Sequence, residues 1–174
     1  MGTALMEAED VEVRNRQAFR AAMSNYPTGV AIVTTRTGAG HPVGLTVNSL
    51  ASVSLDPLLL LWSVDNAVGC ATEFVLGSGF AVHLLGAHQF DAAVTFATKG
   101  QDRFAQHEWS WSQRGLPILA GSAAVFECEL DRAVAAGDHT LLIGRVLDVV
   151  HTDHDALLYH RRAFHSTIQI GAMP

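Results

Sequence analysis

The sequence predicts a mainly β, single-domain protein folded as an antiparallel barrel with peripheral helices. Its strand-like segments follow one another in neighbouring runs, and only two or three segments have helical periodicity, so the regular alternation of a doubly wound sheet is missing. With 174 residues, the chain has the length of one domain and can bury about two-thirds of its unfolded surface. We expect residues 11–174 to form this domain and residues 1–10 to be a disordered N-terminus.

Two helices are predicted from the spacing of apolar residues. Phe19, Met23 and Tyr26 recur at helical spacing, which predicts an amphipathic helix over residues 11–25. This helix ends before a proline, because the residue that precedes proline avoids helical backbone. A second apolar face with the same spacing predicts a helix over residues 90–97.

The predicted strands are runs of β-branched or continuously apolar residues that are bounded by turn-forming residues. They cover residues 29–35, 42–50, 58–64, 80–85, 122–131, 140–150 and 163–170. A connection over residues 133–138 is predicted to join the two long strands near the C-terminus. Neighbouring strands of this kind favour an antiparallel barrel.

Composition and charge exclude several classes of protein. The net charge is −6, whereas a nucleic-acid-binding protein requires a basic face, so no nucleic-acid partner is expected. No apolar run approaches the roughly 20 residues that span a bilayer, and the N-terminus lacks the features of a signal peptide. We therefore expect a cytoplasmic protein with no membrane partner.

No metal site is predicted. Cys70 and Cys128 match no metal-ligand spacing, and we expect both to be reduced, small hydrophobic residues. His151 and His154 have a spacing that could suit a metal, but the acidic, turn-like residues around them favour a solvated loop.

The apolar content favours a subunit interface. Hydrophobic residues make up 49% of the chain but aromatic residues only 7%, so the surplus is alanine, valine and leucine. This surplus favours a hydrophobic subunit interface, and a well-filled monomer core is the alternative.

Three separated motifs carry the chemistry of this sequence. The first, over residues 44–57, places small hydroxyl groups and one amide on an otherwise β-forming segment, where a core strand has no use for them. The second is Phe-Ala-Thr-Lys-Gly-Gln-Asp-Arg-Phe over residues 96–104, and the third is Gly-Asp-His over residues 137–139. In this order the motifs resemble the short-chain flavin reductase family, and the resemblance covers about residues 19–168.

The resemblance implies both a fold and an activity. Members of this family are split β-barrels of the Greek-key, FMN-binding type that form dimers, and they supply reduced flavin to separate, two-component monooxygenases. The implied function is an NAD(P)H:flavin oxidoreductase that transfers hydride from NADH to FMN or FAD. NADH is favoured over NADPH because the sequence has no evident arginine cluster for a 2′-phosphate.

The first motif is expected to line the flavin. The family usually has Thr-Ala-Asn-Ser where this chain has Thr46-Val47-Asn48-Ser49. Extended backbone in this segment can pair with the polar edge of the flavin ring, and Asn48 adds a side-chain amide. The alternative is a half-exposed strand that simply favours hydroxyl residues. The full set of cofactor-binding residues expected from the resemblance is Thr46, Val47, Asn48, Ser49, Ser52, Ser63, Cys70, Phe96, Lys99, Asp102, Arg103, Phe104, Tyr159 and Arg161.

The flavin phosphate is expected near Lys99 and Arg103, which supply positive charge. For Lys99, a solvated helix end is an equally good interpretation. The chain departs from the family at residues 68–70, where Val-Gly-Cys replaces a common Ser-x-Thr pair. Asn66 and Thr72 are candidate substitutes for the two missing hydroxyl groups. This departure leaves FMN or FAD, and tight or substrate-like binding, open.

The nicotinamide is expected near His139, which the resemblance assigns to catalysis at the flavin face. The element over residues 159–164 resembles the family segment that closes over the nicotinamide, and Arg161 or Arg162 could meet a pyrophosphate there. A basic surface turn before the last strand is the alternative interpretation of this element. Two alternatives remain open: a flavin-binding protein without turnover, and a relative that holds another cofactor, such as haem or a deazaflavin.

Overall fold

The computed structural model describes residues 2–166, with side chains from residue 11 onward. The helices are α1 (Gly2–Ser24), α2 (Ala71–Leu76) and α3 (Phe90–Ala97). The strands are β1 (Thr28–Gly29), β2 (Ala31–Arg36), β3 (Pro42–Val47), β4 (Ala51–Leu55), β5 (Leu58–Asp65), β6 (Gly79–Leu84), β7 (Trp109–Trp111), β8 (Pro117–Leu119), β9 (Ala124–Ala136), β10 (His139–His151), β11 (Leu158–His160) and β12 (Ala163–His165). No helix of the described residues is both long enough and apolar enough to cross a membrane.

One antiparallel sheet of seven strands forms the body of the protein, in the order β3-β2-β6-β9-β10-β5-β4. Its two edge strands, β3 and β4, follow each other in sequence and are joined by residues 48–50 alone. The sheet must therefore curl until its edges meet. Ser49 stabilises this closure: its hydroxyl accepts a hydrogen bond from the Ser63 N–H (3.0 Å) and donates one to the Ser63 carbonyl (3.3 Å). The predicted antiparallel barrel with peripheral helices is confirmed.

The interior of the barrel is packed with aromatic residues. Trp62 makes edge-on contacts with Phe74 (ring centroids 5.0 Å apart) and Phe80 (5.6 Å), and all three are buried. Gly144 is required beside them, because a Cβ at this position would lie 2.5 Å from the Phe80 ring. A second apolar cluster, centred on Ile32 and Phe96, packs α3 against the outer face of the sheet.

The predicted elements are present with shifted ends. α1 begins nine residues before residue 11, so the structure gives helical backbone to residues 2–10, where the sequence predicts disorder. The predicted strand over residues 42–50 ends at Val47, because the chain must cross from one edge of the sheet to the other. Of the predicted strand 163–170, residues 163–165 are confirmed, and residues 167–170 lie outside the described residues.

The predicted connection over residues 133–138 is mostly strand. β9 continues to Ala136, and only Gly137 and Asp138 form the turn to β10. Gly137 has a φ of 65°, a conformation that glycine adopts without strain. The short elements α2, β7 and β8 were not predicted, because three to six residues are too few to show a period.

The apolar face predicted for the first helix, whose Tyr26 lies just beyond the end of α1, is exposed within one chain. Phe19, Met23 and Tyr26, the predicted apolar face, are 68%, 49% and 64% exposed. The C-terminal end of the helix is attached to the β11–β12 turn, where the Arg161 N–H donates to the Ser24 carbonyl (2.8 Å).

A buried histidine connects three strands behind α3. The His83 Nδ1–H donates to the Ile32 carbonyl (3.0 Å), and the Leu119 N–H donates to the His83 Nε2 (3.1 Å). These two bonds fix one neutral tautomer and join β6 to β2 and β8. Complete burial lowers the pKa of His83 from 6.5 to about 4, because the charged imidazolium loses its hydration.

This shift predicts a pH dependence of stability. Since the folded pKa of His83 lies below that of the unfolded chain, the unfolded chain binds the proton more readily between pH 6.5 and about 4. The free energy of unfolding should therefore decrease by up to roughly 3 kcal/mol as the pH falls through this range. Urea unfolding of wild type, His83→Gln and the exposed-histidine control His41→Ala measures this decrease in the free energy of unfolding. Only His83→Gln should lose this part of the pH dependence, and an unchanged slope in His83→Gln would contradict the assignment.

Candidate functional site

A cleft runs along the free edge of β3, which pairs with β2 and with no other described strand. β3 lies beside β5. The Ser49–Ser63 bonds close one end of the cleft, and a cavity of about 240 Å³ between Gly44, Cys70 and Arg103 lies at the other. We call the gap between residues 44–49 and residues 63–70 the split cleft. Unpaired main-chain N–H and C=O groups of an edge strand are available to a ligand there.

Arg103 is fixed at the wall of the split cleft. Its Nη1 donates to the Gly44 carbonyl (2.6 Å), while Nε (3.4 Å) and Nη2 (3.2 Å) donate to the Thr98 carbonyl. A guanidinium has five N–H donors, so these bonds leave two of them unused. The side chain is half-buried, and it presents a positioned positive charge to an anion in the cavity.

Cys70 lies beside this guanidinium, immediately before α2. Burial raises the pKa of the Cys70 thiol, although the nearby charge of Arg103 acts in the opposite direction. The thiol is therefore protonated at neutral pH and offers a ligand only a weak hydrogen-bond donor.

Of the four residues Thr46 to Ser49, only Asn48 has a polar side chain without a hydrogen bond to another described residue. The Thr46 hydroxyl donates to the Ala93 carbonyl of α3 (2.8 Å), and the Val47 side chain belongs to the barrel core. Asn48 is exposed at the end of β3, and Ser49 is bound to Ser63. The segment therefore serves a ligand mainly through its main chain and the Asn48 amide. Ser52 lies apart from these residues, on β4 beside an apolar surface.

The second motif supports the wall of the cleft. Phe96 and Phe104 are buried with their rings edge-on at 5.1 Å. The Asp102 carboxylate accepts hydrogen bonds from the N–H groups of Phe104 (3.3 Å) and Ala105 (3.2 Å), which fixes the loop that carries Arg103. Lys99 is exposed on the same loop. That Phe96, Lys99, Asp102 and Phe104 contact a cofactor stays a prediction.

His139 begins β10 and lies opposite Asp65, the last residue of β5. Its Nδ1 bonds to the Asp138 carboxylate (2.7 Å), and this bond lowers the pKa of Asp138. The ring is 42% exposed, so its Nε2 edge is accessible. Asn66 contacts the start of β10: its N–H donates to the Asp138 carbonyl (3.0 Å), and its Oδ1 accepts a hydrogen bond from the Thr140 hydroxyl (2.7 Å).

A larger groove of about 810 Å³ opens beyond Asn48, between α1 and the β11–β12 hairpin. We call it the α1 groove. Tyr159 and Arg162 line it, but Arg161 does not: its Nε donates to the Asn25 Oδ1 (2.9 Å) at the end of α1. Of the two arginines that the sequence left open for a pyrophosphate, the structure places Arg162 in the groove.

Several of the predicted residues fall into two adjoining places, whereas Ser52 lies on β4, Arg161 is bound to Asn25, and Phe96 and Phe104 are buried behind the cleft wall. Thr46 to Ser49, Ser63, Cys70 and Arg103 surround the split cleft, while Tyr159 lies in the α1 groove. Sequence reasoning missed Arg20 of α1, which also lines the groove, because no local pattern connects it with the hairpin. No group of three or more potential metal ligands lies together among the described residues.

Known proteins resemble this chain over most of its length. The sequence matches the family described as "Flavin reductase like domain" over residues 23–167. It is 41% identical over 150 residues to the FMN reductase (NADH) SmoA of Agrobacterium fabrum, covering 86% of this chain and 85% of that protein. It is 40% identical over 152 residues to the reductase component of a flavin-dependent trigonelline monooxygenase from Acinetobacter baylyi, covering 87% of this chain but only 49% of that protein.

A solved structure has the same fold. The Streptomyces globisporus NADH:FAD oxidoreductase in complex with NAD and FAD fragments superposes with a TM-score of 0.85 at 31% identity, covering 91% of this chain and 96% of that chain. This chain therefore spans nearly all of some relatives and about half of others.

The contacts of Arg103 predict that it stabilises the fold as well as the cleft. Arg103→Met removes a charged donor from two main-chain carbonyls, and should lower the free energy of unfolding by about 1–3 kcal/mol. Lys99→Met is the control, because this exposed cation should change stability by less than about 0.5 kcal/mol. Urea unfolding measures both variants, and equal effects would show that the Arg103 contacts contribute nothing specific.

Proposed function

The chain belongs to the flavin reductase-like domain family, and from this premise we propose that it transfers hydride from NADH to FMN or FAD. The reduced flavin is then released to a separate monooxygenase. The observation that carries the proposal is the split cleft, where the unpaired edge of β3 lies beside the fixed guanidinium of Arg103. NADPH is the alternative hydride donor.

The residues present in the split cleft fit a flavin. The isoalloxazine ring has a polar edge of carbonyl and N–H groups, which suits the free main-chain edge over residues 46–49 and the Asn48 amide. The two unused N–H donors of Arg103 suit a phosphate. Cys70 supplies only a thiol there, which favours a flavin that binds and leaves over one that is held permanently.

The cofactors supply the hydride chemistry, so the protein needs no acid–base group of its own. Its residues position the reactants instead. Asp138 fixes the His139 ring through Nδ1, and the accessible Nε2 edge can orient the carboxamide of a nicotinamide. His139 is thus proposed as the residue that aligns the hydride donor.

The proposed activity predicts anaerobic bleaching of flavin. Catalytic amounts of the protein should bleach the visible absorbance of FMN or FAD when NADH is added without oxygen. His139→Ala should slow the reaction about tenfold, the value of one lost hydrogen bond of roughly 1.4 kcal/mol, whereas the exposed His41→Ala should not. If the protein bleaches neither flavin, it is not a flavin reductase.

A homodimer and a cytoplasmic location are also proposed. The faces of β4, β5 and β10 expose a group of apolar side chains, among them Leu55 at 87% and Leu58 at 45% exposure, around an apolar hollow of about 330 Å³. A second copy of the chain would remove these side chains from water. The free thiols of Cys70 and Cys128 suit a reducing compartment.

The dimer proposal predicts the effect of a charge at this face. Light scattering should give a dimer for the wild type and a monomer for Leu58→Asp, because a buried unpaired carboxylate opposes association. Leu76→Asp is the control, since Leu76 is 84% exposed on α2, away from this face. A monomeric wild type, or a Leu58→Asp variant that stays dimeric, would contradict the proposed interface.

A further inference from the structure

The turn that precedes His139 lies at the end of a hairpin that is little buried. β9 pairs with β6 only as far as Glu129, and residues 131–136 of β9 are all exposed. β10 is paired on its other side with β5, whose last residue, Asp65, lies opposite His139. Segments with few buried apolar contacts open easily, so the orientation of the His139 side chain depends on hydrogen bonds at this end of the hairpin.

Asn66 supplies two such bonds from the chain that follows β5. Its N–H donates to the Asp138 carbonyl (3.0 Å), and its Oδ1 accepts a hydrogen bond from the Thr140 hydroxyl (2.7 Å). Asp138 and Thr140 are the two sequence neighbours of His139, so Asn66 holds the chain on both sides of this residue. The sequence left Asn66 as a substitute for a missing hydroxyl at the flavin phosphate, but its Oδ1 is bonded to Thr140 instead.

Asn66 is itself positioned by a tight turn. The Asp65 carboxylate accepts a hydrogen bond from the Ala67 N–H (2.8 Å), and the Asp65 carbonyl accepts one from the Val68 N–H (3.0 Å). An Asp at the first position of a turn closes it in this way, and Asn66 is the second residue of the turn. The turn belongs to one wall of the split cleft, so Asn66 connects that wall with the end of the β9–β10 hairpin.

The His139 ring depends on this connection through Asp138. The Asp138 carboxylate bonds to the His139 Nδ1 (2.7 Å), although the Asp138 side chain is 93% exposed. A pair between exposed groups holds its geometry weakly, because water competes for both partners. The bond from the Asn66 N–H to the Asp138 carbonyl limits the positions that the carboxylate can take, and hence the orientations of the ring.

We propose that Asn66 is a positioning residue for hydride transfer, which orients the His139 ring through Asp138 and Thr140. This inference rests on the proposed function, in which His139 aligns the nicotinamide of NADH. A small misalignment of two bound reactants slows the reaction between them without weakening their binding. Asn66 contacts neither reactant in this role, so its whole effect on the rate passes through His139.

The rate of hydride transfer in a single anaerobic turnover, at saturating NADH and FMN, is the first test. Asn66→Ala and Thr140→Val each remove the side-chain bond, and each should slow the transfer about fivefold and leave the affinity for FMN unchanged. Thr140→Ser retains the hydroxyl and should restore the wild-type rate. Thr152→Val is the matched control, because it removes a hydroxyl that bonds to the Ser122 and Ala123 carbonyls just beyond the other end of β10.

Combined variants distinguish a positioning role from a merely structural one. Asn66→Ala with Thr140→Val should be as slow as either single variant, because both substitutions remove the same bond. Asn66→Ala should cause no further loss when His139 is already alanine, because its effect passes through the imidazole ring. A further loss of about fivefold in the His139→Ala protein, or a changed affinity for FMN, would overturn the inference.

Amide hydrogen exchange of the flavin-free protein gives a readout that requires no activity. Asn66→Ala and Thr140→Val should speed the exchange of the amides of residues 137–140, whereas Thr152→Val should not. Unchanged exchange over these residues would overturn the inference, while flavin reduction by the wild type leaves the proposed function intact. A wild type that reduces no flavin would instead overturn the proposed function, and the exchange rates would still decide whether Asn66 fixes the turn.

Discussion

The free edge of β3 determines the rest of this structure. Seven strands curl until a connection of three residues can join the two edge strands, yet β3 pairs with β2 alone. An edge strand with open hydrogen-bonding groups favours aggregation unless something covers it. Here the loop that carries Arg103 and the connection from β5 to α2 lie along the edge. The unpaired main-chain N–H and C=O groups of β3, which must be covered to prevent aggregation, are also the groups that can bind a planar ligand with a polar edge.

Some side chains around this edge stabilise the fold, and others are available to bind a ligand. Ser49 closes the barrel and Asp102 fixes a loop, whereas Asn48 has its amide free. Arg103 does both, because three of its five donors hold main-chain carbonyls and two remain. A positively charged group fixed before the ligand arrives loses little freedom on binding, which is the advantage of a preformed site.

Much of this was predictable from the sequence, for physical reasons. Long apolar strands such as β5 have a clear pattern, and the spacing of polar groups in residues 44–57 pointed to the edge of the cleft. Contacts between residues that are far apart in the sequence leave no pattern in the local sequence around either residue. That Arg20 and Arg162 line the same groove depends on how α1 is attached to the hairpin, and the main-chain bonds of Arg103 depend on tertiary packing. The choice between Arg161 and Arg162 likewise required the contacts of the turn with α1.

The central claim is that flavin lies along the free edge of β3. Amide hydrogen exchange with and without FMN tests it most directly, because main-chain groups that bind a ligand exchange more slowly. The account predicts slower exchange over residues 46–49 and 65–70 and in the loop that carries Arg103. Protection confined to another cavity, such as the one of about 680 Å³ lined by His88, Phe90 and Glu108, with none over residues 46–49, would contradict it.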